Sequence, residues 1–282
     1  MDGAGAGEGR VAVISGAGTG IGRAIAEKLG SLGWRVAVGG RRTELLADTV
    51  AVVEAAGGAG LAHALDVTDA ASVQAFFDAT EAVLGPVDVV VNNAATARYG
   101  PLDDFSPEEI EAEVATKLLG SLYMARCGIR SMRPRARGDI LFITSLAAVQ
   151  PWPFHLPYAA ANAGVEQAVR SLRLELEGSG IRVTMLRCGE TLGTDFATKE
   201  MESGRMADVM DVWFRRGLIR HAGAMDPGMV ADAVVHAVTL PPGYQYESVA
   251  VVPTAPVGPL PTTFTEFAEQ MMEAHAADGP SA

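Results

Sequence analysis

Cysteine is nearly absent from this 282-residue chain: it has two, Cys127 and Cys188. That is too few for a disulfide framework, so a reducing, cytoplasmic setting is expected. Basic residues are also short, with 22 Lys and Arg against 34 Asp and Glu and a formal charge of −12. Such a chain lacks the basic face a nucleic acid requires, and an anionic membrane surface repels it. No apolar run approaches the roughly 18 residues of a spanning helix. Met1 to Gly9 has neither the basic start nor the apolar block of a signal peptide. The five histidines, His63, His155, His221, His236 and His275, show no paired ligand spacing, so no metal is expected. His155 reads as a surface-loop residue. No repeat or linker divides the chain. With 49% hydrophobic and 20% charged residues, the chain is globular with one large core. Soluble enzyme, small-molecule binder and adaptor remain.

What is present is alternation. Arg10 to Ser15, Arg35 to Gly39, Leu61 to Leu65, Val87 to Val91, Ile140 to Thr144, Ile181 to Leu186 and Val249 to Val252 read as apolar strands. Helical spacing separates them: Gly20 to Leu32, Thr43 to Ala56, a helix capped by Thr68 or Asp69 and ending at Val83, Ser106 to about Met132, Pro157 to Gly178, and Pro227 to Val238. Strand–helix alternation with wholly apolar strands predicts an α/β fold, a single-domain Rossmann-type doubly wound parallel sheet of about seven strands with helices on both faces. The domain is expected over 10–260, after a disordered 1–9. The segment 192–223, rich in Met and aromatic residues, interrupts the pattern and is expected to form a substrate lid. A helical tail over 261–282 follows, carrying Phe264, Phe267, Met271 and Met272 at near-helical spacing and fraying after Ala276.

Ser15-Gly16-Ala17-Gly18-Thr19-Gly20-Ile21-Gly22 lies between the first strand and first helix. Glycines there let the backbone approach a pyrophosphate, and the helix N-terminus offers it unpaired N–H groups. At the end of the second strand, where a carboxylate would accept from an adenosine ribose hydroxyl, stand Gly39-Gly40-Arg41-Arg42. Two guanidiniums suit a 2′-phosphate, which points to NADP(H).

These motifs, with others in register behind them, resemble the short-chain dehydrogenase/reductase family over nearly the whole chain. Asp66-Val67 resembles the pair that contacts adenine, and Asn92-Asn93-Ala94-Ala95 resembles the family's Asn-Asn-Ala-Gly. Ser145 precedes Tyr158 by thirteen residues, a typical family interval, and Cys188-Gly189 followed by Thr194 resembles the segment near the nicotinamide. Thr144 joins the cofactor-side residues. Where the family carries Lys four residues after Tyr, this chain has Asn162; where it carries Asn on the preceding helix, this chain has Lys117. The exchange resembles the ketoreductase domains of polyketide synthases. The resemblance implies an NADPH-dependent reductase of a small-molecule ketone, with secondary metabolism as its setting. It also implies a homodimer or homotetramer built on the two long helices.

The physics of the exchange stands apart from the resemblance. A cation about 5 Å from a phenol, at an effective dielectric of about 20, stabilises phenolate by roughly 3 kcal/mol. Which helix supplies it is secondary. The expected roles are Tyr158 as proton donor to the carbonyl oxygen, Ser145 orienting that oxygen, Lys117 lowering the phenol and joining a relay, and Asn162 holding ribose or a relay water. Dehydration or cyclisation on the same fold, and a non-catalytic NADP(H)-binding protein, stand as alternatives.

Overall fold

The structure is a computed structural model and describes residues 9–194 and 205–277. Seven strands are present: β1 (Val11–Ser15), β2 (Arg35–Gly40), β3 (Ala59–Ala64), β4 (Val89–Asn92), β5 (Gly138–Ser145), β6 (Ile181–Cys188) and β7 (Ser248–Val251). They pair in parallel in the order β3-β2-β1-β4-β5-β6-β7. Between them run α1 (Gly20–Ser31), α2 (Thr43–Ala55), α3 (Ala70–Leu84), α4 (Pro107–Val114), α5 (Gly120–Met132), α6 (Leu156–Glu175), α7 (Arg205–Arg215) and α8 (Pro227–Val238); α9 (Phe264–Ala277) follows β7.

Successive side chains of a strand point to opposite faces, so each face needs its own cover. On β1, Val11 and Val13 enter a core with Phe76 of α3, Met124 of α5 and Val165 of α6. Ala12 and Ile14 enter the opposite core with Ile25 of α1, Val53 of α2 and Val230 of α8. The strand order reverses between β1 and β4. The crevice beyond the carboxyl ends at that reversal is where ligands bind in such sheets. A third apolar cluster gathers Tyr99 and Trp152 from the loops leaving β4 and β5, Val209 and Trp213 from α7, and Phe267 from α9.

Local signals explain the helix starts. Asp69 accepts from the Ala71 N–H, Asp226 from the Gly228 N–H, and Ser106 forms a reciprocal capping box with Glu109. The expected single helix from Ser106 to Met132 is broken. α4 ends at Val114, a π-helical turn spans Ala115–Leu119, and α5 begins at Gly120. A Cβ on Gly120 would lie 2.8 Å from Val67, so backbone packs directly on that side chain. The wider turn shifts the phase of every following side chain, and it carries Lys117 into the interior, where it is 2% exposed.

At the N-terminus, Gly9 is tied to Gly33 and Arg35; residues 1–8, the rest of the expected disordered stretch, lie outside the described residues, as do 278–282. Part of the expected lid, including Phe196 and Met201, lies outside them as well. Among the described residues no helix is long and apolar enough to cross a membrane.

Candidate active site

Gly16 and Gly20 adopt φ of +65° and +55°, conformations in which glycine alone is unstrained. A Cβ on Gly22 would fall 2.4 Å from the Gly16 carbonyl oxygen and 2.8 Å from Asn93 Nδ2. Asn93 makes the turn this tight: its Nδ2 donates to the carbonyl oxygens of Ser15 and Gly16 at 3.1 and 3.0 Å. Ser15 Oγ accepts from the N–H groups of Asn93 and Ala94, each at 3.1 Å. Ser15 and Asn93, expected to touch the cofactor, therefore use their side chains to brace the turn from behind. Thr19 is the N-cap of α1 yet makes no side-chain cap bond, and the first turn holds no carboxylate. Among the described residues no side chain caps its N–H groups, which is the arrangement a pyrophosphate requires. We expect Gly22→Ala to destabilise the fold by about 1–3 kcal/mol through overpacking, read as a lowered denaturant midpoint, and to weaken dinucleotide binding in parallel.

At the end of β2, Arg41 and Arg42 are exposed. Arg42 Nη2 donates to Thr19 Oγ1 at 3.4 Å, linking the arginine pair to the phosphate turn. The hydroxyl and N–H of Thr68 hold the Asp66 carboxyl below its usual range against the opposing effect of burial, and Arg41 adds to the lowering. Val67 is buried against Gly120. Thr194 lies on the glycine turn: a Cβ on Gly20 would meet its Cγ2 at 3.0 Å. The Gly189 N–H donates to the Val251 carbonyl at 2.9 Å. Thr144 is turned away from the cradle. Its hydroxyl donates to Glu166 Oε1 at 3.3 Å and the Leu186 carbonyl at 3.4 Å, within a buried network that Arg187 closes on Glu166.

Ser145 ends β5, and Tyr158 stands in the first turn of α6. Ser145 and Asn162 both hydrogen-bond to the phenol, which favours its ionised form. Burial opposes them and dominates, and the acidic groups Cys188 and Glu113 reinforce it, so the phenol is pushed up to about 12. Asn162 is fully buried; its Nδ2 donates to the Tyr158 carbonyl at 2.9 Å, and its Oδ1 has no protein partner among the described residues. Lys117 Nζ donates to the Ile143 carbonyl at 2.5 Å. Burial lowers the ammonium to about 8, with Cys188 opposing. The expected lowering of the phenol by Lys117 does not appear: its ammonium hydrogen-bonds the Ile143 carbonyl, and the groups that lower the phenol are Ser145 and Asn162.

His155 is the second correction. It is 5% exposed rather than on the surface. Its ring stacks on Tyr158, with centroids 4.3 Å apart, and on Tyr99, at 4.4 Å. Trp213 packs edge-on against Trp152 at 4.8 Å, and its Nε1 donates to the Pro153 carbonyl at 2.8 Å. Glu113, also missed, is buried and accepts from the Arg98 N–H at 2.6 Å. The one sequence signal for Glu113 is its place four residues before Lys117.

The model of the short chain dehydrogenase family matches residues 10–204. The chain is 34% identical over 179 residues to the short chain dehydrogenase MYCFIDRAFT_6125 of Pseudocercospora fijiensis, which covers 62% of this chain and 57% of that protein. It is 30% identical to the ketoacyl reductase HetN of Nostoc over 82% of this chain and 75% of that one. A metagenomic short-chain oxidoreductase solved in complex with NADP is similar in structure, with a TM-score of 0.74 and 31% identity over 89% of this chain and all of that one. Sheet order, glycine turn and family match agree: this chain belongs to the short-chain dehydrogenase/reductase family.

Proposed function

We propose that the protein is an NADPH-dependent ketoreductase. The observation that carries this reading is the convergence of Ser145 and Asn162 on the Tyr158 hydroxyl, in a fold whose first strand leads through the glycine turn into α1. NADPH, when bound, supplies the hydride to the carbonyl carbon. Tyr158 gives its proton to the carbonyl oxygen, Ser145 orients that oxygen, and the product is the alcohol. Lys117, lowered to about 8, sits near working pH, where a relay member returns a proton to the phenol most readily. Asn162 Oδ1, buried without a protein partner among the described residues, suits a ribose hydroxyl or relay water. The Lys117–Ser145–Tyr158–Asn162 set supports a polyketide-like ketone as substrate. α7 and α9, packed by Trp213 and Phe267 onto the cluster that contacts Tyr158, support a cover over the cleft. Leu119 and Leu122 near the start of α5, and Leu174 of α6, all exposed, support a homodimer or homotetramer.

The test is oxidation of NADPH, followed by the absorbance of the reduced ring, against a panel of bulky ketones. Cofactor consumption matched by alcohol formation is expected. Product without cofactor consumption would identify dehydration or cyclisation instead, and tight NADPH binding without chemistry a binding protein. Arg41 and Arg42 support selection of the 2′-phosphate. We expect Arg41→Asp to change the NADPH-to-NADH ratio of kcat/KM by about 10- to 100-fold toward NADH, the worth of one charge-assisted pair. An unaltered ratio would remove Arg41 from the phosphate site.

A further inference from the structure

A cavity of 660 Å³ is built from the loops leaving β4 and β5, the start of α6 and the chain just beyond α7. That is room for a drug-sized ligand. Eleven residues line it, and ten of them are Gly, Pro, Ala, Leu, Phe or Trp. The eleventh is Arg216. The walls are set by the protein itself. Pro101, Pro151 and Pro153 fix their own backbone angles, and the Pro153 carbonyl accepts from Trp213 Nε1 at 2.8 Å. Phe154 has a φ of +64°, a conformation that bulky side chains avoid. It is held there by the Gly100 N–H, which donates to its carbonyl at 2.9 Å. Both residues line the cavity. Backbone strain of this kind gathers at ligand clamps, and rigid walls lower the ordering cost of binding.

The charge at this cavity is unclaimed. A helix C-terminus favours a cation, and Arg215 already supplies one to α7 while pairing with Asp211. Arg216 is exposed, and among the described residues it has no ion pair and no side-chain hydrogen bond. A guanidinium beside an apolar cavity complements a ligand with an apolar body and an oxyanion at one end. The surroundings select a carboxylate over a phosphate monoester. One cation matches one negative charge, and Asp103 and Asp104 follow the lining residue Leu102 in the same turn, where a second negative charge is repelled. Leu156 and Ala159 carry the wall into the first turn of α6, the turn that holds Tyr158.

We propose that this cavity binds an apolar group ending in a carboxylate, with Arg216 as the partner of that carboxylate, and that the group is the remote end of the ketone substrate. The ketone is then an apolar keto acid. The second part rests on the ketoreductase reading; the binding of an apolar acid does not.

The test compares the full wild-type chain with Arg216→Gln, an exposed change that removes only the charge. Binding is measured first, by calorimetry, with 6-phenylhexanoate and 6-phenylhexanamide, which share an apolar body and differ in charge. Wild type is expected to bind the acid about 5- to 10-fold more tightly, between the worth of an exposed ion pair and that of a charge-assisted hydrogen bond. Arg216→Gln should bring the ratio to about one. No preference in wild type, or an unchanged ratio in the folded variant, overturns the proposal. The Trp152 indole resonance, from the cavity wall, should shift as the acid is added; a resonance that stays in place overturns the assignment to this cavity. Turnover is measured next, with 6-oxo-6-phenylhexanoate and its amide. The same preference in kcat/KM, lost in Arg216→Gln, is expected. A preference in binding with none in turnover overturns the substrate assignment and makes the ligand a separate acid. Failure of every ketone to oxidise NADPH would sink the ketoreductase reading, while the binding ratio would still decide the role of Arg216.

Discussion

Replacing Tyr158 by Phe is expected to slow ketone reduction by about 10³, within the range a positioned general acid contributes, while leaving the dissociation constant for NADPH unchanged. Phe keeps the ring that His155 stacks on at 4.3 Å and removes only the O–H. Binding and chemistry should therefore separate cleanly in single-turnover kinetics. Because burial and the neighbouring acidic groups push the phenol up to about 12, it is protonated at neutral pH and can donate without prior proton uptake. The reverse reaction, oxidation of an alcohol, needs the phenolate. Its rate should rise about tenfold per pH unit between roughly pH 7 and 10. A flat oxidation profile would assign the base to another group. The stability linkage has the same sign. A phenol raised above its ordinary value of 10.0 contributes stability fully below that pH and loses it as pH climbs toward 12.

The scaffold was legible because its causes are local. Apolar runs bounded by glycine and capping residues define β1 to β7, and the strand–helix alternation predicts the parallel sheet without reference to distant contacts. The glycine turn was legible because Gly16, Gly20 and Gly22 satisfy a backbone demand visible in the sequence. What escaped depends on partners far along the chain. His155 has loop neighbours in sequence, and its burial comes from Tyr99 and Trp213. Ser15 and Thr144 carry hydroxyls that look available until Asn93 and Glu166 take them. The π turn around Lys117 is invisible to a 3.6-residue periodicity, because a single added residue keeps the apolar pattern helical on either side. The position of Lys117 was therefore predictable, but the direction of its ammonium was not.

Exchanging Lys117 for Met tests that direction through two observables that should move in opposite senses. Taking lysine from its ordinary 10.5 down to about 8 means that the folded chain holds the charged form at a cost of about 3 kcal/mol at neutral pH. Between those two values the unfolded chain binds more protons than the folded one, so stability rises with pH across that window. Met has similar length and no charge, so the variant should unfold at a higher temperature, gaining about 1–4 kcal/mol as buried charges replaced by apolar groups do. Its stability should also be flat over that pH range. Under the proposed relay, turnover should fall by about 10², since that relay needs an ammonium at residue 117. A more stable and less active protein is the signature of a charge kept in the interior for chemistry. If Lys117→Met instead lost stability and kept its turnover, the bond to the Ile143 carbonyl would be the reason for the lysine, and the relay would have to begin elsewhere.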